Sequence, residues 1–124
     1  VTRSYNGLAI APVQAMINGA LFEWVVENLL KNSLDALQGQ GEIDVRISDD
    51  LEWVYIDVKD TGKGIPKSNF IFEPGFTTKT RGWGLGLSLS RRIIEEYHKG
   101  RIYVVDSEPG RGTTIRIALK RLYA

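Results

Sequence analysis

Two closely spaced alternating segments constrain this chain more than anything else in it. In EIDVRIS, residues 42–48, the apolar positions are Ile43, Val45 and Ile47; in WVYIDVKD, residues 53–60, they are Val54, Ile56 and Val58. A period of two puts each set on one face of a strand. The turn-like Asp49-Asp50 between them makes the two a half-buried antiparallel pair. RIYVVDS at 101–107 and TTIRIAL at 113–119 read as a second antiparallel pair, joined by EPGRG.

Sheets with one apolar face need a cover, and the chain supplies two amphipathic segments. Residues 19–38 predict a helix in which Phe22, Val26, Leu29, Ser33 and Leu37 fall on one side, flanked by Val25 and Leu30, with Gly39 and Gly41 as its stop. A second helix is expected at about 85–98, with Leu85, Leu89, Ile93, Ile94 and Tyr97 as its apolar stripe. LAIAPVQAMI at 8–17 reads as an entry strand. The fold class is therefore α+β: a two-layer sandwich with helices over one side of a mixed, mainly antiparallel sheet. With no repeat, low-complexity stretch or internal linker, residues 1–124 are expected to form one domain around one core. Val1 in place of Met leads us to expect a piece of a longer protein.

Composition closes off several function classes. The chain has no Cys, which excludes disulfides, thiol nucleophiles and Cys-bound metals, and one His, which excludes multi-His metal sites. Sixteen Lys and Arg against fifteen Asp and Glu give a net charge of +1, which argues against non-specific nucleic-acid binding and against a polybasic membrane contact. No apolar run approaches the ~20 residues of a membrane span.

Three patches carry chemistry. Asn28, Asn32 and Asp35 lie at i, i+4 and i+7 of the first helix, with Lys31 on the same polar side. Taken alone, this is most often a solvated helix face. Carboxamide oxygens are nevertheless hard ligands of the kind Mg²⁺ accepts beside phosphates. Asp60-Thr61-Gly62-Lys63-Gly64-Ile65-Pro66 follows a strand directly. By itself it is an ordinary glycine turn, yet a carboxylate at a strand end can accept from an exocyclic amino group such as that of adenine. Gly82-Trp83-Gly84-Leu85-Gly86-Leu87 opens the second helix, where unpaired N–H groups and the positive dipole end favour phosphate. Residues 61–83 otherwise carry little periodicity, and a long loop of that kind in a compact domain is usually functional.

In this order the patches resemble one family. Asn28-Leu29-Leu30-Lys31-Asn32-Ser33 resembles the N box of the GHKL superfamily, and Asp60 to Gly64 its first glycine box. Phe72-Glu73-Pro74-Gly75-Phe76-Thr77-Thr78-Lys79 is similar to the F box of histidine kinases, Gly82 to Leu87 to the second glycine box, and Gly110-Arg111-Gly112-Thr113-Thr114 to the closing strand. The resemblance spans about residues 12–120 and implies the Bergerat-type ATP-binding fold of a sensor histidine kinase's catalytic domain.

The resemblance also implies roles. Asp60 would bind the adenine amino group, Gly62 and Gly64 would let the base lie against the turn, Ile65 would line the pocket, and Thr113 would help hold a water near the base. Asn32 would ligate Mg²⁺, Asn28 would reach the phosphates or the metal shell, and Lys31 and Asp35 would flank them. The N–H groups around Gly82, Trp83, Gly84, Leu85, Gly86 and Leu87 would hold the phosphate chain. Thr78 and Lys79 would lie over it from an ATP lid at about 65–83. Asn28, Asn32 and Lys79 are the expected catalytic groups. ATP-hydrolysing relatives and the related serine kinases carry a Glu four residues before the metal Asn, where this chain has Asn28; Glu27 is turned away by about 100°. The expected reaction is γ-phosphoryl transfer from ATP with Mg²⁺ to a His on a separate dimerisation domain, with a response regulator receiver domain as eventual acceptor and a cytoplasmic location. The alternatives are a GHKL ATPase or serine kinase, and a non-catalytic nucleotide-binding module. His98, at a helix end, reads as a cap in preference to a phosphoacceptor.

Overall fold

The two strand pairs form as expected and join in one sheet. The molecule, a computed structural model, is described at residues 2–3, 15–64, 69–72, 86–108 and 110–122. Its strands are β1 (Thr2–Arg3), β2 (Ile43–Asp49), β3 (Trp53–Asp60), β4 (Arg101–Glu108) and β5 (Gly112–Lys120). They make one sheet in the order β1-β2-β3-β5-β4. Only β1 runs parallel to its neighbour, so the sheet is mixed and mainly antiparallel.

Helix α1 (Gly19–Leu37) begins where the Asn18 side chain accepts from the N–H of Leu21 at 3.1 Å. Such a cap satisfies one of the four N–H groups a helix start leaves unpaired. Val25, Leu29 and Ser33, one turn apart, are its buried line. Val25 and Leu29 meet Val54, Ile56 and Val58 of β3, Ile115, Ile117 and Leu119 of β5, Ile43 of β2 and Ile102 of β4 in one core. Each fully buried Val, Leu or Ile contributes roughly 1.5–3 kcal/mol.

The second helix departs from the expected regular 85–98 segment. Helix α2 (Gly86–Arg92) runs into a π-helical turn at Ile93–Tyr97. The extra residue per turn changes which side chains face inward. Ser90 is buried, as are Ile93 and Ile94 of the expected stripe, whereas Leu89, before the π turn, and Tyr97, within it, are 40% and 65% exposed. The entry strand also differs. Its residues 8–14 lie outside the described residues, Ala15 makes one isolated bridge to Arg121, and Met16 and Ile17 are exposed. Within the expected lid, Asn69–Phe72 forms a 3-10 turn whose Ile71 and Phe72 are buried in the core.

The outer sheet face is stitched by charge and aromatic contacts. Arg116 donates two hydrogen bonds to Asp57 at 2.7 and 2.9 Å and lies 4.7 Å above the Tyr55 ring. Arg101 and Lys120 sit over Trp53 at 5.5 and 4.9 Å. Among the described residues, no helix is long and apolar enough to cross a membrane.

Candidate functional site

The alternation that builds β3 carries a carboxylate inward. Positions 54, 56 and 58 face the core, and the next residue of the same parity is Asp60, 5% exposed. The alternation of β5 likewise delivers Thr113, paired across from Asp60 in register. A buried carboxylate needs donors. Asp60 accepts from the N–H of Gly62 at 2.9 Å and also from the Ser33 hydroxyl and the Thr113 N–H. Burial pushes its carboxyl above the ordinary carboxylate range, and these three hydrogen bonds oppose the shift only in part.

The turn after Asp60 is fastened to the end of α1. Thr61 and Glu42 exchange two hydrogen bonds, and the N–H of Lys63 donates to the carbonyl of Ala36 at 3.1 Å. Gly62 packs so closely that a Cβ there would stand 2.5 Å from that carbonyl oxygen. Glycine is needed at 62 for the helix to lie against the turn. Gly64, half-buried, ends the described part of the turn. On the far side, a bulge in β4 between Val104 and Asp106 shifts the register so that Ser107 lies opposite Thr113, with their hydroxyls 3.0 Å apart.

A second group lies on α1 toward its N-terminus. Asn28 and Asn32 are half-buried, one turn apart, so this stretch is not a solvated face. The Asn28 Nδ2 donates to the Ser90 hydroxyl at 3.2 Å, and that hydroxyl donates to the carbonyl of Gly86 at 2.8 Å. Lys31 and Asp35 are exposed beside them, as is Glu27. Ser33, the residue that reaches Asp60, lies five positions after Asn28, about 7.5 Å along the axis. The carboxylate and the amides thus border one stretch of α1.

Of the residues expected from the sequence, Asn28 and Gly86 touch where α1 meets α2, with Asn32 one turn further along α1 and Leu87 next to Gly86, and Asp60, Gly62, Gly64 and Thr113 gather at the ends of β3 and β5. Ile65, Thr78, Lys79, Gly82, Trp83, Gly84 and Leu85 lie outside the described residues. Sequence reasoning missed Ser33, which it took for part of the apolar stripe, and Ser90. Ser33 carried one signal: a hydroxyl on a buried line between leucines calls for a partner. No group of His, Cys, Asp and Glu able to hold a metal occurs among the described residues.

His98 caps the π turn. Its Nε2 accepts from the N–H of Asn18 at 2.9 Å, which requires Nδ1 to carry the proton it shares with the Ile93 carbonyl at 2.9 Å. Both ring nitrogens are engaged.

Comparison with known proteins matches residues 18–122 to the family described as histidine kinase-, DNA gyrase B-, and HSP90-like ATPase. Sporulation kinase A of Bacillus subtilis is 43% identical over 96 residues, which cover 76% of this chain and 16% of that protein. Sensor kinase CckA of Brucella abortus is 38% identical over 136 residues, covering 94% of this chain and 14% of that protein. The chain thus spans about one seventh to one sixth of the length of these curated relatives. Among solved structures, the catalytic domain of histidine kinase ThkA superposes with a TM-score of 0.74 at 32% identity, covering 85% of this chain and 70% of that one.

Proposed function

The chain belongs to the histidine kinase-, DNA gyrase B-, and HSP90-like ATPase family, and on that premise we propose that it is the ATP-binding catalytic domain of a two-component sensor histidine kinase. The observation that carries this reading is the buried Asp60. A carboxylate offers about four acceptor positions. Gly62, Ser33 and Thr113 use three. The fourth suits a donor from a ligand, and the amino group of adenine is such a donor. Thr113 and Ser107 lie beside it and suit a bridging water.

The amides of Asn28 and Asn32 would serve the phosphate end. Their oxygens are neutral hard donors, which fits Mg²⁺, a cation that keeps several waters and takes few protein ligands beside phosphates. Asn32 is the proposed ligand. When bound, the metal neutralises charge on the phosphate chain. The N–H groups of Gly86 and Leu87, at the start of α2, would add donors, and Lys79 would supply a cation from an ATP lid.

The chain's own groups favour transfer over hydrolysis. Glu27 is exposed, and Asn28 stands at the inward-facing position. The carboxylate on that side of α1, Asp35, lies seven residues after Asn28, about 10.5 Å along the axis, away from the position at which a base would act. His98 is a poor acceptor, since the lone pair of its Nε2 already takes the Asn18 N–H. The acceptor imidazole would therefore come from a separate dimerisation domain, and a response regulator would receive the phosphoryl group from it. Positioning and charge neutralisation remain as this chain's share of catalysis.

The test has two arms. Calorimetry with ATP, with and without Mg²⁺, should give micromolar to millimolar binding. Addition of a His-bearing dimerisation domain should then yield acid-labile phosphohistidine on that domain. Binding without transfer would favour a nucleotide-binding module, and steady turnover to free phosphate abolished by Glu27→Ala would favour an ATPase.

A further inference from the structure

We infer that Ser90 is a positioning residue that sets the orientation of the Asn28 amide, and through it the metal-dependent part of nucleotide binding. The inference rests on the ATP reading above. Ser90 is fully buried, at 0% exposure. Its hydroxyl has one proton, and that proton is committed to the Gly86 carbonyl four residues back, at 2.8 Å. Toward Asn28 the oxygen can then only accept, and it accepts from Nδ2 at 3.2 Å. The amide is held with nitrogen toward Ser90, so its oxygen is directed elsewhere.

That oxygen lies against Gly86. A Cβ built at Gly86 would fall 2.4 Å from Asn28 Oδ1, 2.9 Å from Nδ2 and 3.0 Å from Cγ. The whole amide occupies the space a side chain at 86 would need. Gly86 and Ser90, one turn apart on α2, thus grip Asn28 from two sides: one leaves room for the amide, and the other fixes its polarity. A carboxamide turned the other way would present N–H bonds there instead of an oxygen. Cations take oxygens, so the part of binding that depends on Mg²⁺ is the part that senses this choice.

Ser90→Ala keeps a good helix former at the position and removes only the acceptor. The first readout needs no nucleotide. In the wild type, the Asn28 side-chain amide protons should give distinct, exchange-protected NMR signals; in Ser90→Ala they should lose that protection. The second readout is ADP affinity with Mg²⁺ and with EDTA. Ser90→Ala should weaken Mg²⁺-dependent binding about 3- to 10-fold, the scale of one neutral hydrogen bond, and leave binding in EDTA within twofold. In an Asn28→Ala background the same substitution should have no effect, and Ser90→Thr, which keeps the hydroxyl, should recover the wild-type split. Equal losses with and without metal, a persistent effect in the Asn28→Ala background, or unchanged amide signals would overturn the role of Ser90 and leave the ATP reading standing. Wild-type protein that binds no nucleotide at millimolar concentration would overturn both.

Discussion

Replacing Asp60 with Asn should weaken ligand binding and change the pH dependence of stability at once, because the same burial governs both. The carboxylate is 5% exposed and holds three protein donors, and its ionised form is disfavoured there. A group whose folded-state pKa is raised contributes stability that is fully present below the unfolded value and is lost as pH rises through the folded value. Wild-type protein therefore gives up stability at this position as pH rises from the ordinary carboxylate range through the raised folded-state value, and the Asp60→Asn variant, with no proton to lose there, cannot. Asn keeps an acceptor oxygen for the Gly62 N–H, and its Nδ2 can donate to Ser33 once that hydroxyl turns to accept, but it offers the ligand's amino group an N–H or a weaker neutral oxygen. A hydrogen bond to a charged group is worth about 1.5–3 kcal/mol, so ADP affinity should fall roughly 10- to 140-fold. Calorimetry at pH 7.5 measures the affinity. Chemical denaturation without ligand at a series of pH values from 4 to 8 measures the other half, and the stability of Asp60→Asn relative to wild type should improve as pH rises and level off once the wild-type carboxyl is ionised in the folded protein. An unchanged affinity would refute the adenine assignment, and a pH-independent stability difference would refute the burial argument.

Three further outcomes follow from the packing and the site. Leu29→Ala, at the centre of the core line of α1, should cost about 2–5 kcal/mol in denaturant unfolding; a loss below about 1 kcal/mol would contradict its place there. Gly62→Ala would drive a Cβ into the Ala36 carbonyl, so it should lower both the melting temperature and ADP affinity; an unchanged protein would mean that helix and turn are free to part. Asn32→Ala should reduce nucleotide affinity more in Mg²⁺ than in EDTA, and equal losses by calorimetry would remove its metal role.

Much of this was readable in advance, for physical reasons that differ by element. Ile43, Val45 and Ile47, with Val54, Ile56 and Val58, announce strands because one buried sheet face imposes a period of two. Even so, Ile47 is 36% exposed, although Ile43 on the same strand is fully buried in the core. The same parity, carried one step further, marks Asp60 and Thr113 as inward-facing. The π turn at 93–97 left no such mark: no Gly or Pro interrupts the stretch, and Leu89 and Tyr97 fit a regular helix on paper. Thr2 and Arg3 are too few to display any period, so β1 and its parallel pairing were not foreseen. Ser33 and Ser90 were hidden for another reason. A serine's meaning is set by what lies opposite, and Asp60 and Asn28 approach them only through tertiary folding.

The bulge in β4 also bears on how this protein tolerates change. Because Val104 faces Ile115 and Asp106 faces Thr114, the residue between them is surplus to the ladder. Removing Val105 would keep every partner downstream, Ser107 opposite Thr113 included, and would mainly straighten the strand. Insertions or deletions at this one point are thus absorbed as curvature, whereas the loss of a residue from β3 would turn Asp60 out into solvent. Homologous chains that differ by one residue in length should vary at the first place and not at the second.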